Sequence, residues 1–115
     1  MADTFIDRDV MRIMTEKRQE LDAVGVEQGP LFDTVEGMLS LDYKERFKAE
    51  YRQTKIRYEK LKDFCNQIEA AEIMGKKLPN HDCPFYMLKD QKRTMGDYLH
   101  ILELRALIEE IELEV

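Results

Sequence analysis

DYKERFKAEYRQTKIRYEKLKDFCNQIEA, residues 42–70, decides the fold. Tyr43, Phe47, Tyr51, Thr54, Tyr58, Leu61, Cys65 and Ile68 recur in steps of three and four, which places them on one face of an α-helix. Period-two alternation fails, so the stretch does not read as a strand. Asp42 followed by Glu45 has the spacing of a capping box, in which each side chain accepts a bond from the other residue's amide. No Gly or Pro interrupts the run before Gly75, and residues 71–74 can extend it to that stop.

A second stretch answers the first: PFYMLKDQKRTMGDYLHILELRALIEEIE, from Pro84 to Glu112. Proline suits the first helical position because its missing N–H would have no partner there. Asp82 or Cys83 would cap it. Leu88, Gln91, Met95, Tyr98 and Leu102 form one row; Ile101, Leu104, Ile108, Ile111 and Val115 form another. A helix packed on a single partner needs one stripe. Two stripes require burial from two sides, and a lone pair of helices cannot provide both. The N-terminal region or another subunit must supply the second. Gly96 costs about 1 kcal/mol of helix propensity relative to Ala, and reads either as a close helix approach or as a tolerated glycine. The connection KKLPNHDCP carries turn chemistry in Pro79, Asn80 and Asp82. The two arms predict an all-α fold, a long antiparallel helical hairpin assembled as an oligomer.

Upstream, Thr4 to about Val24 reads as an additional amphipathic helix carrying Phe5, Val10, Met11, Met14 and Leu21. Gly25, Gly29 and Pro30 break it. A short turn of helix follows over Thr34–Leu39, weakened by Gly37. Through Asp33 eight acids face four bases. Residues 1–40 therefore form a helical extension, which could dock on the hairpin, contact a second subunit or stand as a mobile addition. Residues 41–115 form the hairpin domain.

Charge is uneven. The chain carries a formal −6, yet Asp42 to Asp63 holds eight Lys or Arg against five acids, and Glu103 to Val115 holds five Glu against one Arg. The acidic total argues against a general binder of DNA or RNA polymers, whose footprint is basic; a local cationic pocket for a compact anion remains open. No stretch reaches the roughly 20 apolar residues that span a bilayer, so no membrane partner is expected. The N-terminus has acids where a signal peptide needs basic and apolar segments. An intracellular protein with two reduced thiols, Cys65 and Cys83, is expected.

Catalytic chemistry is sparse. Structural zinc wants four ligands in close pairs, and Cys65, His81 and Cys83 do not supply them. Ser40 is the only serine, beside a helix start. No phosphate-binding glycine loop is present. Neither an enzyme nor a cofactor is expected. An aromatic and basic surface remains: Tyr43, Phe47 and Tyr51 at four-residue spacing, with Arg52, Lys55, Lys60 and Lys62 nearby. Aromatic faces stack nucleobases, worth about 1–3 kcal/mol per base, and Lys and Arg hold phosphate. The same rings would equally serve as core and the same bases as a solvated face.

Two motifs carry a resemblance. Glu50, Arg57, Lys60, Leu61 and Phe64 form E-x6-R-x2-K-L-x2-F. Leu88, Gln91, Met95, Tyr98, Ile101, Leu102 and Arg105 form L-x2-Q-x3-M-x2-Y-x2-I-L-x2-R. Together they resemble a family of small phage proteins that includes the second type of anti-CBASS protein. CBASS is a bacterial defence that signals infection with cyclic oligonucleotides, and these proteins are sponges for the signal. The resemblance covers about Asp42 to Leu113 and leaves the first forty residues outside. It implies a helical homo-hexamer in the bacterial host's cytoplasm, with pockets between protomers for cyclic dinucleotides and a separate threefold pocket for cyclic trinucleotides. Carried over, Tyr51 or its row-mates Tyr43 and Phe47 would stack on a base, and Lys60 or Lys62 with Arg105 would hold phosphate. Arg105 interrupts an apolar row, so its charge wants a partner: a phosphate, Glu109, or an acid of another subunit. The alternative function is a helical module that captures a host protein through the N-terminal helix or a hydrophobic groove.

Overall fold

A computed structural model describes Arg12, Glu16 and residues 29–113. The amphipathic segment expected from Thr4 to Val24 falls almost entirely outside that range, as does Val115. The described residues contain no strand. A 3-10 turn, Phe32–Thr34, leads directly into a short helix α1, Val35–Met38; two long helices follow, α2 at Tyr43–Met74 and α3 at Phe85–Glu109. The all-helical expectation therefore holds, with both arms within a few residues of their predicted bounds. The chain divides into two compact units, Met1–Gln53 with Ile111–Val115, and Thr54–Glu110.

In the first unit the start of α2 is fixed by short polar contacts. Asp42 Oδ1 accepts the Lys44 amide at 2.9 Å, and the Asp42 amide donates to Ser40 Oγ at 3.0 Å. Asp42 is thus a helix cap, but Ser40 provides the return bond expected of Glu45, whose carboxylate instead meets Lys48 at 3.3 Å. The only serine earns its place at that helix start. Arg46 donates to the Ser40 carbonyl at 2.7 Å and closes the same corner. Thr34 is buried, and its hydroxyl donates to the Leu31 carbonyl at 2.7 Å, so no polar group is stranded. Gly37 is needed for packing: a Cβ built there would lie 2.7 Å from the Ala49 Cβ. Two small residues let α1 and α2 touch.

The second unit holds the rest of α2 and α3. Along α2, Cys65, Ile68 and Ala71 are buried while Thr54, Tyr58 and Leu61 are half-buried, continuing the predicted row. Gly75 ends the helix in the left-handed region at φ +66°. Its amide donates to the Glu72 carbonyl, and the Lys76 amide to the Ala71 carbonyl at 2.9 Å, the paired bonds of a Schellman cap. In the connection, His81 Nδ1 lies 2.7 Å from the Pro79 carbonyl oxygen, and its ring meets Phe64 edge-on at 6.2 Å between centroids.

Helix α3 begins after Pro84, which occupies the cap position itself and makes no side-chain cap. Asp82 and Cys83, the predicted caps, are not used that way. The buried residues of α3 are Leu99, Leu102 and Ala106. This seam lies beside the predicted row: Leu102 belongs to it, Tyr98 is exposed, and Leu99 and Ala106 take the inner positions. The Tyr58 ring rests on Gly96, with its Cε1 3.3 Å from where a Cβ would stand. Gly96 therefore marks a close approach of the two long helices. Of the second row, Ile101, Leu104 and Ile108 are exposed along the single chain, whereas Ile111 is buried.

Candidate functional site

The six candidate residues fall into separate settings. In the first unit, Tyr43, Phe47 and Tyr51 follow one another on α2. Tyr43 is 45% exposed and meets the Phe47 ring edge-on at 6.2 Å. Phe47 and Tyr51 are only 4% and 6% exposed. Their faces are occupied by the protein, so a base could reach them only after repacking. The period-four spacing was a core signal at Phe47 and Tyr51 and a surface signal only at Tyr43, at the first residue of the helix.

In the second unit, Lys60 and Lys62 are exposed and make no ion pair among the described residues. Arg105 is also accessible. Its Nε donates to Glu109 Oε2 at 3.0 Å, one turn along α3, in a pair that is half-exposed on both sides. An i, i+4 pair of that exposure is worth only about 0.3–0.5 kcal/mol, so a dianionic ligand could compete for the guanidinium. Of the three partners foreseen for Arg105, the geometry displays Glu109; the weakness of that bridge leaves a phosphate or an acid of another subunit open.

Sequence reading did not single out the exposed ring of Tyr86 as a stacking candidate, nor that of Tyr98. Tyr98 stood in a row expected to be buried. Tyr86 follows Pro84 in the first turn, where a helix has no preceding turn to pack on. Beside it Lys89 Nζ sits 4.8 Å from the centroid of Phe85, an arrangement with a cation–π attraction of about 0.5–1 kcal/mol at such a surface.

A cleft of about 240 Å³ opens in the first unit, lined by Asp33, Glu36, Glu45, Lys48, Tyr51 and Arg52 among others. Ligand clefts usually measure about 300–1,000 Å³. Three carboxylates and two cations also make a poor cradle for a diester with two negative phosphates. The cleft is too small and too acidic to hold a cyclic dinucleotide by itself. Among the described residues no group of three or more His, Cys, Asp or Glu is placed to hold a metal, and no helix is long and apolar enough to cross a membrane. Cys65 is buried, and His81 is engaged with Pro79.

Long helices with exposed rings and cations define a small all-helical protein among the described residues. The chain belongs to the Sequestin family, whose family model matches residues 41–108. That match covers more than half of the chain, both long helices almost entirely, and every one of the six candidate residues. The name of the family describes sequestration. No curated protein and no solved structure matches the chain.

Proposed function

We propose that this chain sequesters cyclic oligonucleotide immune signals without cleaving them, as a phage protein acting in the cytoplasm of its bacterial host. The observation that carries the reading is the Sequestin match over residues 41–108, which contains both motifs and all six candidate residues. Cyclic dinucleotides are the first ligand class, and cyclic trinucleotides the second, in a pocket of their own. A cyclic dinucleotide offers two bases and two singly charged phosphodiesters. Exposed Tyr43 supplies a stacking face, and Lys60, Lys62 and Arg105 supply charge. Phe47 supports Tyr43 through its edge-on contact, and Phe47 or Tyr51, after repacking, stacks in its place. Binding alone is sufficient for this role: a sponge lowers the free signal by mass action, and needs affinity and copy number in place of a reacting group.

In this reading the two long helices form an antiparallel hairpin. The contacts of Tyr58 with Gly96 and of Phe64 with His81 support it, since both bring residues before the connection together with residues in or after it. Residues 41–115 form the ligand-holding domain and residues 1–40 the extension. The cleft lined by Asp33, Glu36 and Glu45 is too small for this ligand, and the reading places the pockets between copies. The exposed row Ile101, Leu104 and Ile108 is the surface that a second copy covers, since apolar burial contributes about 25 cal/mol per Å². The assembly is a homo-oligomer, a hexamer by family resemblance.

Calorimetry with cyclic dinucleotides and trinucleotides tests the proposal, followed by heating and chromatography of the released ligand. Saturable heat and an intact ligand are expected. Absence of heat with every ring tested would remove the sponge reading, and recovery of a linear product would make the protein an enzyme.

A further inference from the structure

In the second unit, the corner where α2 gives way to the connection is apolar and cationic at once. At the end of α2, Ile73 is 80% exposed and Met74 is exposed beside it; Tyr86 is exposed in the first turn of α3. Successive residues of a helix are about 100° apart, so Ile73 projects about 160° away from buried Ala71. Between Ile73 and Lys89 the chain carries Lys76, Lys77 and Lys89 against the single acid Asp82, in a protein whose formal net charge is −6. Lys76 and Lys77 are exposed and make no ion pair among the described residues. Asp90, the next acid along, lies 3.9 Å from the Arg93 guanidinium. The corner also projects. Tyr58 meets Gly96; from Gly96 back to Phe85 is about 16 Å of α3, and from Tyr58 on to Met74 is about 24 Å of α2, at 1.5 Å per residue. With the two helices antiparallel, the end of α2 stands about 8 Å beyond the start of α3. Long side chains on a helix lean toward its N-terminus, so Tyr86 leans toward the end where Ile73 and Met74 stand.

We infer that this corner docks the protein on the surface of an anionic lipid bilayer. Ile73, Met74 and Tyr86 enter the boundary between headgroups and acyl chains, and Lys76 and Lys77 lie among the headgroup phosphates. Apolar burial and attraction to anionic lipid act together in contacts of this kind. A projecting corner encloses no ligand, but it presses readily into a deformable surface. Tyr suits the boundary because its ring is apolar and its tip polar. Lys suits it because its charge rides on a flexible apolar stem. An acidic protein is the competing occupant, but carboxylates gain most from the planar fork of Arg, and the cations of this corner are all Lys. The contact is peripheral: no helix among the described residues is long and apolar enough to cross a membrane. It goes beyond the proposed function, since none of the six candidate residues lies between Ile73 and Lys89. Its failure would leave the sponge reading standing.

Cosedimentation of the full chain with extruded vesicles tests it. Vesicles of phosphatidylglycerol and phosphatidylethanolamine are compared with neutral phosphatidylcholine vesicles. Binding to the anionic vesicles is expected, weakening as salt is raised and about tenfold or more weaker on the neutral ones. Lys76→Glu with Lys77→Glu is expected to weaken it by about tenfold or more, and Ile73→Ser with Met74→Ser by about tenfold or more. Side chains this exposed are dispensable to the fold, and helix content by circular dichroism accompanies every variant. The chain has no Trp, so Tyr86→Trp places a single reporter at the corner. Its emission is expected to move to shorter wavelength on anionic vesicles. Absence of binding to anionic vesicles, equal binding to both lipids, helical variants that bind undiminished, or an unshifted Tyr86→Trp emission would each overturn the contact. Binding to polyglutamate in place of vesicles would overturn it in favour of an acidic protein. An assembly that dissociates in the lysine variant, with no vesicle binding by wild type, would overturn it in favour of a second copy.

Discussion

At the residue scale, two positions separate structural from binding roles. Gly37 looked like a weakness in a short helix, yet it is where α1 meets Ala49. Gly37→Ala would force a methyl group to within 2.7 Å of another; overpacking of that kind costs typically about 1–3 kcal/mol. The expected result is a lower melting temperature, partly restored by Ala49→Gly despite the latter's own helix cost of about 1 kcal/mol. Arg105 is the converse case. Its bridge to Glu109 contributes little to folding, so Arg105→Ala should melt within a few degrees of wild type while losing on the order of tenfold or more in cyclic dinucleotide affinity, read by calorimetry. Glu109→Gln should leave affinity equal or higher, because it removes a competitor for the guanidinium. Equal affinity in Arg105→Ala would move the phosphate site elsewhere. The motif singled out Arg105 as a candidate, and the geometry shows it on the Glu109 carboxylate. Burial of Phe47 and Tyr51 was not legible, because a periodic row of rings has the same spacing whether it packs or binds.

At the scale of elements, the sequence defined the two long helices well because their signals are local. Asp42 starts α2 and Gly75 ends it, and each acts within a few residues of itself. Gly75 holds φ +66°, where a Cβ is strained, so Gly75→Ala is expected to destabilise by about 1 kcal/mol in thermal denaturation. The details that were missed depend on which neighbour competes. Ser40 displaced Glu45 in the cap because its hydroxyl reaches the Asp42 amide two residues away. The buried seam of α3 shifted toward Leu99 and Ala106 because Gly96 draws in the Tyr58 ring and turns that face inward. Periodicity gives the presence of a stripe; its angular position within about one residue is set by the partner.

For the whole molecule, the family match begins at residue 41, while the Gly37 contact shows residues before that start packing on α2 at Ala49. Cutting after residue 40 would therefore strip a packed face, and cutting after residue 28 spares it. A chain lacking residues 1–28 is expected to keep cyclic dinucleotide affinity within about threefold, since no candidate residue is removed and remote sites act nearly independently. Loss of binding would put the extension in the pocket. Loss of a captured host protein, with ligand binding absent in both forms, would favour the interaction-module reading. The uneven charge and the double apolar stripe read as a demand for partners, and the exposed Ile101, Leu104 and Ile108 leave that demand unmet along the single chain. The two thiols offer a means to find out whether other copies meet it. Cys65 is sealed in the core, whereas Cys83 is half-open in the connection between the long helices. A maleimide dye added to the native protein should therefore attach at Cys83 first, without mutagenesis. Donor-labelled and acceptor-labelled batches can then be mixed: growth of energy transfer would show that copies associate and how fast they trade places, and its arrest by added cyclic dinucleotide would show the proposed ligand locking them together.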